Sequence, residues 1–112
     1  MSLRIALGVL FFAAVLEAAG DALVRHGLHS QGPAARAAFF AIGAVTLFAY
    51  GYVVNAPPWD FGKLLGVYVV FFFVVAQLIN WIFFHQRPSG AILLGGALIV
   101  AGGAVISYSS FR

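Results

Sequence analysis

Four long apolar runs divide the chain and limit its fold more than any other feature. They extend over about residues 5–24, 37–54, 64–84 and 91–108. Each run is close to the roughly 20 residues that a helix needs to cross the hydrocarbon core of a bilayer. Because backbone groups in lipid must be hydrogen-bonded internally, each run is predicted to be an α-helix. The sequence therefore predicts an all-α membrane protein, with one four-helix transmembrane domain over residues 1–112.

The composition agrees with this prediction and excludes several other classes. Of the residues, 63% are hydrophobic and only 8% are charged, which is too apolar for a soluble domain of this size. The protein is therefore expected to be an integral protein of the bacterial inner membrane. The chain has no cysteine, so neither a disulfide framework nor a thiolate metal site is expected. The basic residues are scattered, so a nucleic-acid partner is not expected either.

Two carboxylates interrupt the first apolar run. Glu17 and Asp21 are four residues apart, which places them one turn apart on the same face of a helix. A charge inside a bilayer is costly, and such residues usually face a bundle interior or a wet cavity. Both are therefore candidate site residues. Two structural alternatives stay open: Asp21 forms an ion pair with Arg25, and Glu17 is simply a buried neutral acid.

Paired glycines mark the fourth run. Pairs at Gly95–Gly96 and Gly102–Gly103 are seven residues apart and lie on nearly one helix face. Small residues in this arrangement let two membrane helices approach closely. These four glycines are predicted to form a packing seam, either within the chain or between two copies of it.

Other polar residues give weaker signals. Gln77 and Asn80 share a face of the third helix and are predicted to form an interhelical hydrogen bond, or else to contact a substrate. His26 and His29 have a three-residue spacing that could in principle bind a metal, but no third ligand has a suitable spacing, so no metal and no cofactor are expected. No nucleophile and base occur in a catalytic pattern, so an enzyme is not expected.

The basic residues do not favour one orientation in the membrane. With four spans, three lie on each side: Arg4, Lys63 and Arg112 against Arg25, Arg36 and Arg87. The positive-inside rule orients a chain by an asymmetry in this count. Two interpretations stay open: too few charges for a reliable count, or dual topology, in which copies insert both ways and pair antiparallel.

Several of these segments together resemble the small multidrug resistance family of the drug/metabolite transporter superfamily. The chain has the family's size and its four spans. Its Leu16–Gly20 segment is similar to the family's membrane glutamate followed by a glycine. Its Trp81–Pro88 segment is similar to the Trp-x-x-Phe-x-(Glu/Gln)-Arg stretch, and Leu94–Gly102 is similar to the glycine-rich fourth helix. The resemblance covers nearly the whole chain.

The resemblance implies an antiparallel, dual-topology homodimer that exports a small cationic or amphipathic molecule in exchange for protons. Glu17 would be the shared proton and substrate site. Tyr68 takes the position of a pocket tryptophan in the family, so the resemblance implies that Tyr68 lines the pocket. Asp21 is expected to line it for a different reason, its position on the Glu17 face, since the family tends to have a small or hydroxyl residue there. The chain differs from the family at residues 69–73, where bulky side chains replace glycines. This difference motivates the alternative function, a non-transporting structural or accessory subunit of a larger membrane complex.

Overall fold

The computed structural model describes residues 1–111, with side chains through Tyr108. Residues 1–111 form no strand, and they contain four helices: α1 (Leu3–Leu28), α2 (Pro33–Val54), α3 (Phe61–Phe84) and α4 (Gly90–Phe111). All four are long and apolar enough to cross a membrane. The prediction of an all-α protein with four membrane-spanning helices is confirmed. Arg112, one of the six basic residues in the topology count, lies outside the described residues.

Each helix begins earlier than the apolar run that predicted it. A polar side chain caps the start of α1, α3 and α4, whereas α2 begins at Pro33 without a side-chain cap. The Ser2 hydroxyl accepts a hydrogen bond from the Ile5 backbone N–H at 3.3 Å. The Asp60 carboxylate accepts one from the Lys63 N–H at 3.0 Å, at the start of α3. An N-cap satisfies N–H groups that have no partner within the helix. The caps lie directly before the helices and allow them to start in stretches that hydropathy assigns to a link.

The helices are arranged as a row with α1 and α3 in the middle. α1 packs against both α2 and α3, and α4 packs against α3. The chain is correspondingly flat, with extents of 52 × 34 × 19 Å. Its core lies where α1 meets α3, and its fully or nearly fully buried side chains include Leu10, Ala13, Ala14, Leu64 and Tyr68. The small alanines of α1 allow α3 to come close, so the core lies beside the two carboxylates.

Glycines bring α1 and α2 together. A Cβ on Gly20 would lie 2.7 Å from the side chain of Leu47, and a Cβ on Gly43 would lie 2.9 Å from Val24. The same added Cβ on Gly43 would lie 3.3 Å from the Gly20 carbonyl oxygen, so the two helix backbones come close together there. Gly20 follows Glu17 by three residues. The crossing therefore holds the segment that carries both carboxylates against α2.

The four glycines of the predicted seam divide into two pairs in the structure. Gly96 and Gly103 are buried against α3, where an added Cβ would meet Phe73 and Val70 respectively. Gly95 and Gly102 have nothing within 4 Å of an added Cβ. One residue of each pair thus packs inside the chain, and the other lies on a face of α4 that no described residue covers.

Candidate functional site

Glu17 and Tyr68 meet in the core, where α1 faces α3. The Tyr68 hydroxyl donates a hydrogen bond to Glu17 Oε1 at 2.7 Å. Tyr68 is 4% exposed, whereas the Glu17 side chain is only half-buried. Glu17 Oε2 makes no hydrogen bond with any described residue. One carboxylate oxygen is therefore held by the protein, and the other is available to a proton or a ligand.

Aromatic rings form one wall beside this hydrogen bond. The Tyr50 ring of α2 lies 5.7 Å from the Tyr68 ring, and the Phe72 ring lies 6.3 Å from it on the other side. A cation near Glu17 would lie close to these rings, and aromatic ring faces attract positive charge. The three rings come from two helices and converge on the carboxylate side chain.

A cleft of about 250 Å³ opens at Glu17. Its other lining residues come from α2 and α3: Tyr50, Leu65, Tyr68, Val69 and Phe72. Binding sites for drug-sized ligands usually measure roughly 300–1,000 Å³. The cleft in a single copy therefore suits a small ligand, or it forms one part of a larger site.

Asp21 lies in a different cleft, although it shares a helix face with Glu17. This second cleft measures about 220 Å³ and also contains Arg25, and Phe72 lines both clefts. Asp21 and Arg25 do not form the ion pair that was left open as an alternative: the Arg25 guanidinium lies over the Phe84 ring, 5.7 Å from its centre. The structure thus brings Tyr68 to Glu17, whereas Asp21 lines a second cleft whose one residue in common with the first is Phe72.

Comparison with known proteins gives the family. The chain is 34% identical over 104 residues to a UPF0060 membrane protein of Herpetosiphon aurantiacus, which covers 89% of the chain and 91% of that protein. It is 33% identical over 98 residues to one of Mycobacterium marinum, covering 87% of the chain and 86% of that protein. The chain belongs to the UPF0060 family of membrane proteins. A third UPF0060 relative, of Clostridium beijerinckii, is 36% identical over 70 residues, or 61% of the chain and 63% of that protein.

The names of these UPF0060 relatives agree with the predicted integral membrane location, which is confirmed together with the four membrane-length helices. The names state no substrate or activity. No protein-family model matches the chain, and no solved structure matches it.

The prediction of an interhelical hydrogen bond from the Gln77 and Asn80 pair is wrong for this UPF0060 chain. Asn80 Nδ2 lies 3.5 Å from the carbonyl oxygen of Gln86, in the link that follows α3. Gln77 Oε1 is buried without a hydrogen-bond partner among the described residues. For Gln77 the reason is that α4 packs beside it, and the α4 residues there, Ile92 and Leu93, are apolar. Asn80 instead lines the Asp21 cleft.

Three residues of the site were missed from the sequence. Tyr50 and Phe72 line the Glu17 cleft, and Phe84 holds the Arg25 side chain. Tyr50 had one available signal, because a tyrosine within an apolar helix needs a polar environment for its hydroxyl. Residues 1–108 contain no group of three histidine, aspartate or glutamate side chains that could hold a metal ion.

Proposed function

We propose that this UPF0060 chain is a proton-coupled exporter of a small cationic or amphipathic molecule, with Glu17 as the shared proton and substrate site. The hydrogen bond from Tyr68 to Glu17 Oε1, with Oε2 left open to the cleft, is the observation that carries this proposal. It supplies a positioned acid in the middle of the membrane-spanning helices, next to space for a ligand.

The mechanism follows from the cost of an unpaired charge in the membrane. An isolated carboxylate there is unfavourable, so Glu17 is stabilised either by a proton or by a bound cation. The two states exclude each other, because both use the same open oxygen. Tyr68 can donate to Oε1 in both states, since a neutral carboxylic acid keeps an acceptor oxygen. Binding a cation then releases one proton, and taking up a proton releases the cation.

The proposal includes an antiparallel homodimer, as in the small multidrug resistance family that the sequence resembles. Two observations support it. The flat row of helices leaves the Glu17 cleft open in a single copy, so a second copy could enclose it. Gly95 and Gly102 also leave a smooth, uncovered stripe on α4. Small residues on such a stripe would allow a close helix contact between copies.

Proton release tests the function directly. Candidate cations, such as quaternary ammonium and guanidinium compounds, are added to the purified protein in weakly buffered maltoside solution, and the pH is recorded. A substrate should release protons from the wild type and not from Glu17→Gln, which keeps the size of the side chain but has no acidic proton. Asp60→Asn is the matched control, because it makes the same change at a helix N-cap, where asparagine is an equally good cap.

A structural or accessory subunit is the second candidate, and the third helix favours it. α3 continues without a break from Phe61 to Phe84, and Phe71 and Phe72 pack against the core. A helix filled in this way has little room to bend during transport. If no cation releases protons from the wild type, and Glu17→Gln assembles and behaves like it, the structural function is the better explanation.

A further inference from the structure

Opposite charges lie in one cleft without neutralising each other. Asp21 and Arg25 are one turn apart on α1, both are exposed, and both line the cleft of about 220 Å³ between α1 and α3. They form no ion pair with each other, because the Arg25 guanidinium lies against the Phe84 ring. Each charge is therefore available to a ligand.

The remaining walls of this cleft suit a small polar molecule with an apolar side. The amide side chains of Asn80 and Gln86 offer donors and acceptors, and the Phe72 ring forms an apolar wall. A ligand with only a positive charge would be attracted by Asp21 but repelled by Arg25. A ligand with only a negative charge would be attracted by Arg25 but repelled by Asp21. A molecule that carries both charges satisfies both residues.

We propose that the cleft containing Asp21 and Arg25 binds a small zwitterion, with its ammonium group against Asp21 and its carboxylate or phosphonate against Arg25. An ammonium group can also contact the Phe72 ring face, whereas the planar guanidinium of Arg25 suits a two-oxygen acid. This site differs from the one at Glu17, because the two clefts have only Phe72 in common among their lining residues. The binding proposal holds whether or not the chain transports anything.

The depths of the two charges decide between a water-borne zwitterion and a lipid headgroup. α1 ends at Leu28, so Arg25 lies about 4 Å and Asp21 about 10 Å from the helix end, at 1.5 Å per residue. The positive group of the ligand would thus lie deeper than its negative group. In a zwitterionic phospholipid the phosphate joins the acyl chains and the ammonium points toward water, which is the opposite order. The site therefore fits a soluble molecule that enters ammonium first.

Calorimetric titration of the purified protein, in maltoside without zwitterionic detergent, tests the proposal. The probes are glycine betaine and γ-butyrobetaine, which carry both charges, choline, which carries only the positive charge, and acetate. At least one betaine should bind about tenfold or more tightly than choline and acetate, since one charge-assisted contact accounts for about that factor. Glycerophosphocholine, which is the lipid headgroup without acyl chains, represents the lipid and should bind more weakly than the betaine.

Variants then locate the binding. Asp21→Asn and Arg25→Gln should each weaken betaine binding about tenfold or more, and Arg25→Lys should keep part of it, because the positive charge remains. Arg36→Gln is the matched control: it removes an exposed arginine at the same end of the molecule, outside the cleft. Circular dichroism confirms that each variant is folded.

The wild-type comparison alone can overturn the proposal, even if a variant fails to fold. Choline binding as tightly as the betaines would show a plain cation site. Tighter binding of glycerophosphocholine than of the betaines would show a lipid-headgroup site. Absence of betaine binding would mean that Arg25 and Asp21 serve only the packing and solvation of the helix end. If Glu17→Gln no longer releases protons but still binds betaine, the zwitterion site is independent of Glu17 and of the proposed transport.

Discussion

Adjacent glycines on α4 allow a prediction in which most unrelated effects cancel. An added Cβ on Gly103 would overlap Val70 of α3, whereas one on Gly102 would meet nothing within 4 Å. Gly103→Ala and Gly102→Ala change neighbouring residues of the same helix. Alanine favours the helix over glycine by about 1 kcal/mol at either position, so this contribution drops out of the difference. The difference in stability between the two variants therefore reports the contact between α4 and α3.

The size of the difference follows from how far α4 must move. Val70 is β-branched and therefore stiff within a helix, so its side chain cannot rotate away cheaply. Inserting a methyl group into such a contact costs about 1–3 kcal/mol. Gly103→Ala should be less stable than Gly102→Ala by that amount, a factor of about 5–150 in the unfolding equilibrium. Gly96→Ala should likewise be less stable than Gly95→Ala, since a Cβ added on Gly96 would lie 2.5 Å from Phe73, whereas one on Gly95 would meet nothing within 4 Å.

Unfolding in maltoside micelles, by addition of dodecyl sulfate, measures this difference. Trp81 lies on α3 and shares a cavity with Ile92 and Leu93 of α4, so its fluorescence reports the separation of the two helices. Trp59→Phe removes the other tryptophan from the signal. Measurements at a low ratio of protein to micelles keep contacts between copies out of the result. Equal losses of stability in Gly102→Ala and Gly103→Ala would refute the described orientation of α4.

Three further predictions concern the site, the α1–α2 crossing and the topology. Tyr68→Phe removes only the hydroxyl that contacts Glu17, so the protein should still fold. Its free energy of unfolding should fall by about 1 kcal/mol, and cation binding should weaken. Unchanged cation binding in calorimetry would contradict this prediction. Gly20→Leu should destabilise the protein by about 1–3 kcal/mol, whereas Gly8→Leu, with open space around it, should not, as measured by the same unfolding assay. A C-terminal tag should be accessible from both sides of the membrane, and two lysines added to one end should fix one orientation; labelling from one side alone would exclude dual topology.

The sequence was sufficient for the number and type of the helices, because hydropathy over some 20 residues is a local property. The sequence was less informative about the helix ends. Ser2 and Asp60 are polar, so hydropathy does not mark them, although their side chains cap α1 and α3. Which helices pack together depends on contacts far apart in the chain, and no local pattern specifies them. The seam on α4 shows this limit: the seven-residue spacing marked four glycines, but only the position of α3 determines that Gly96 and Gly103 are the buried ones.

The two carboxylates show the same limit at the candidate site. A spacing of four residues rotates Asp21 only about 40° from Glu17 and places it about 6 Å along the axis, so a shared face was a sound prediction. A shared site also requires that nothing from another helix enters between them. α3 runs alongside, and its Phe72 lines the cleft of each carboxylate, with Tyr68 one turn before it bonded to Glu17. Glu17 thus lies in one cleft, where Tyr68 of α3 bonds to it, and Asp21 lies in a second cleft with Arg25. If Phe72 is the partition, Phe72→Ala should join the two clefts, and a ligand of one should then compete with a ligand of the other.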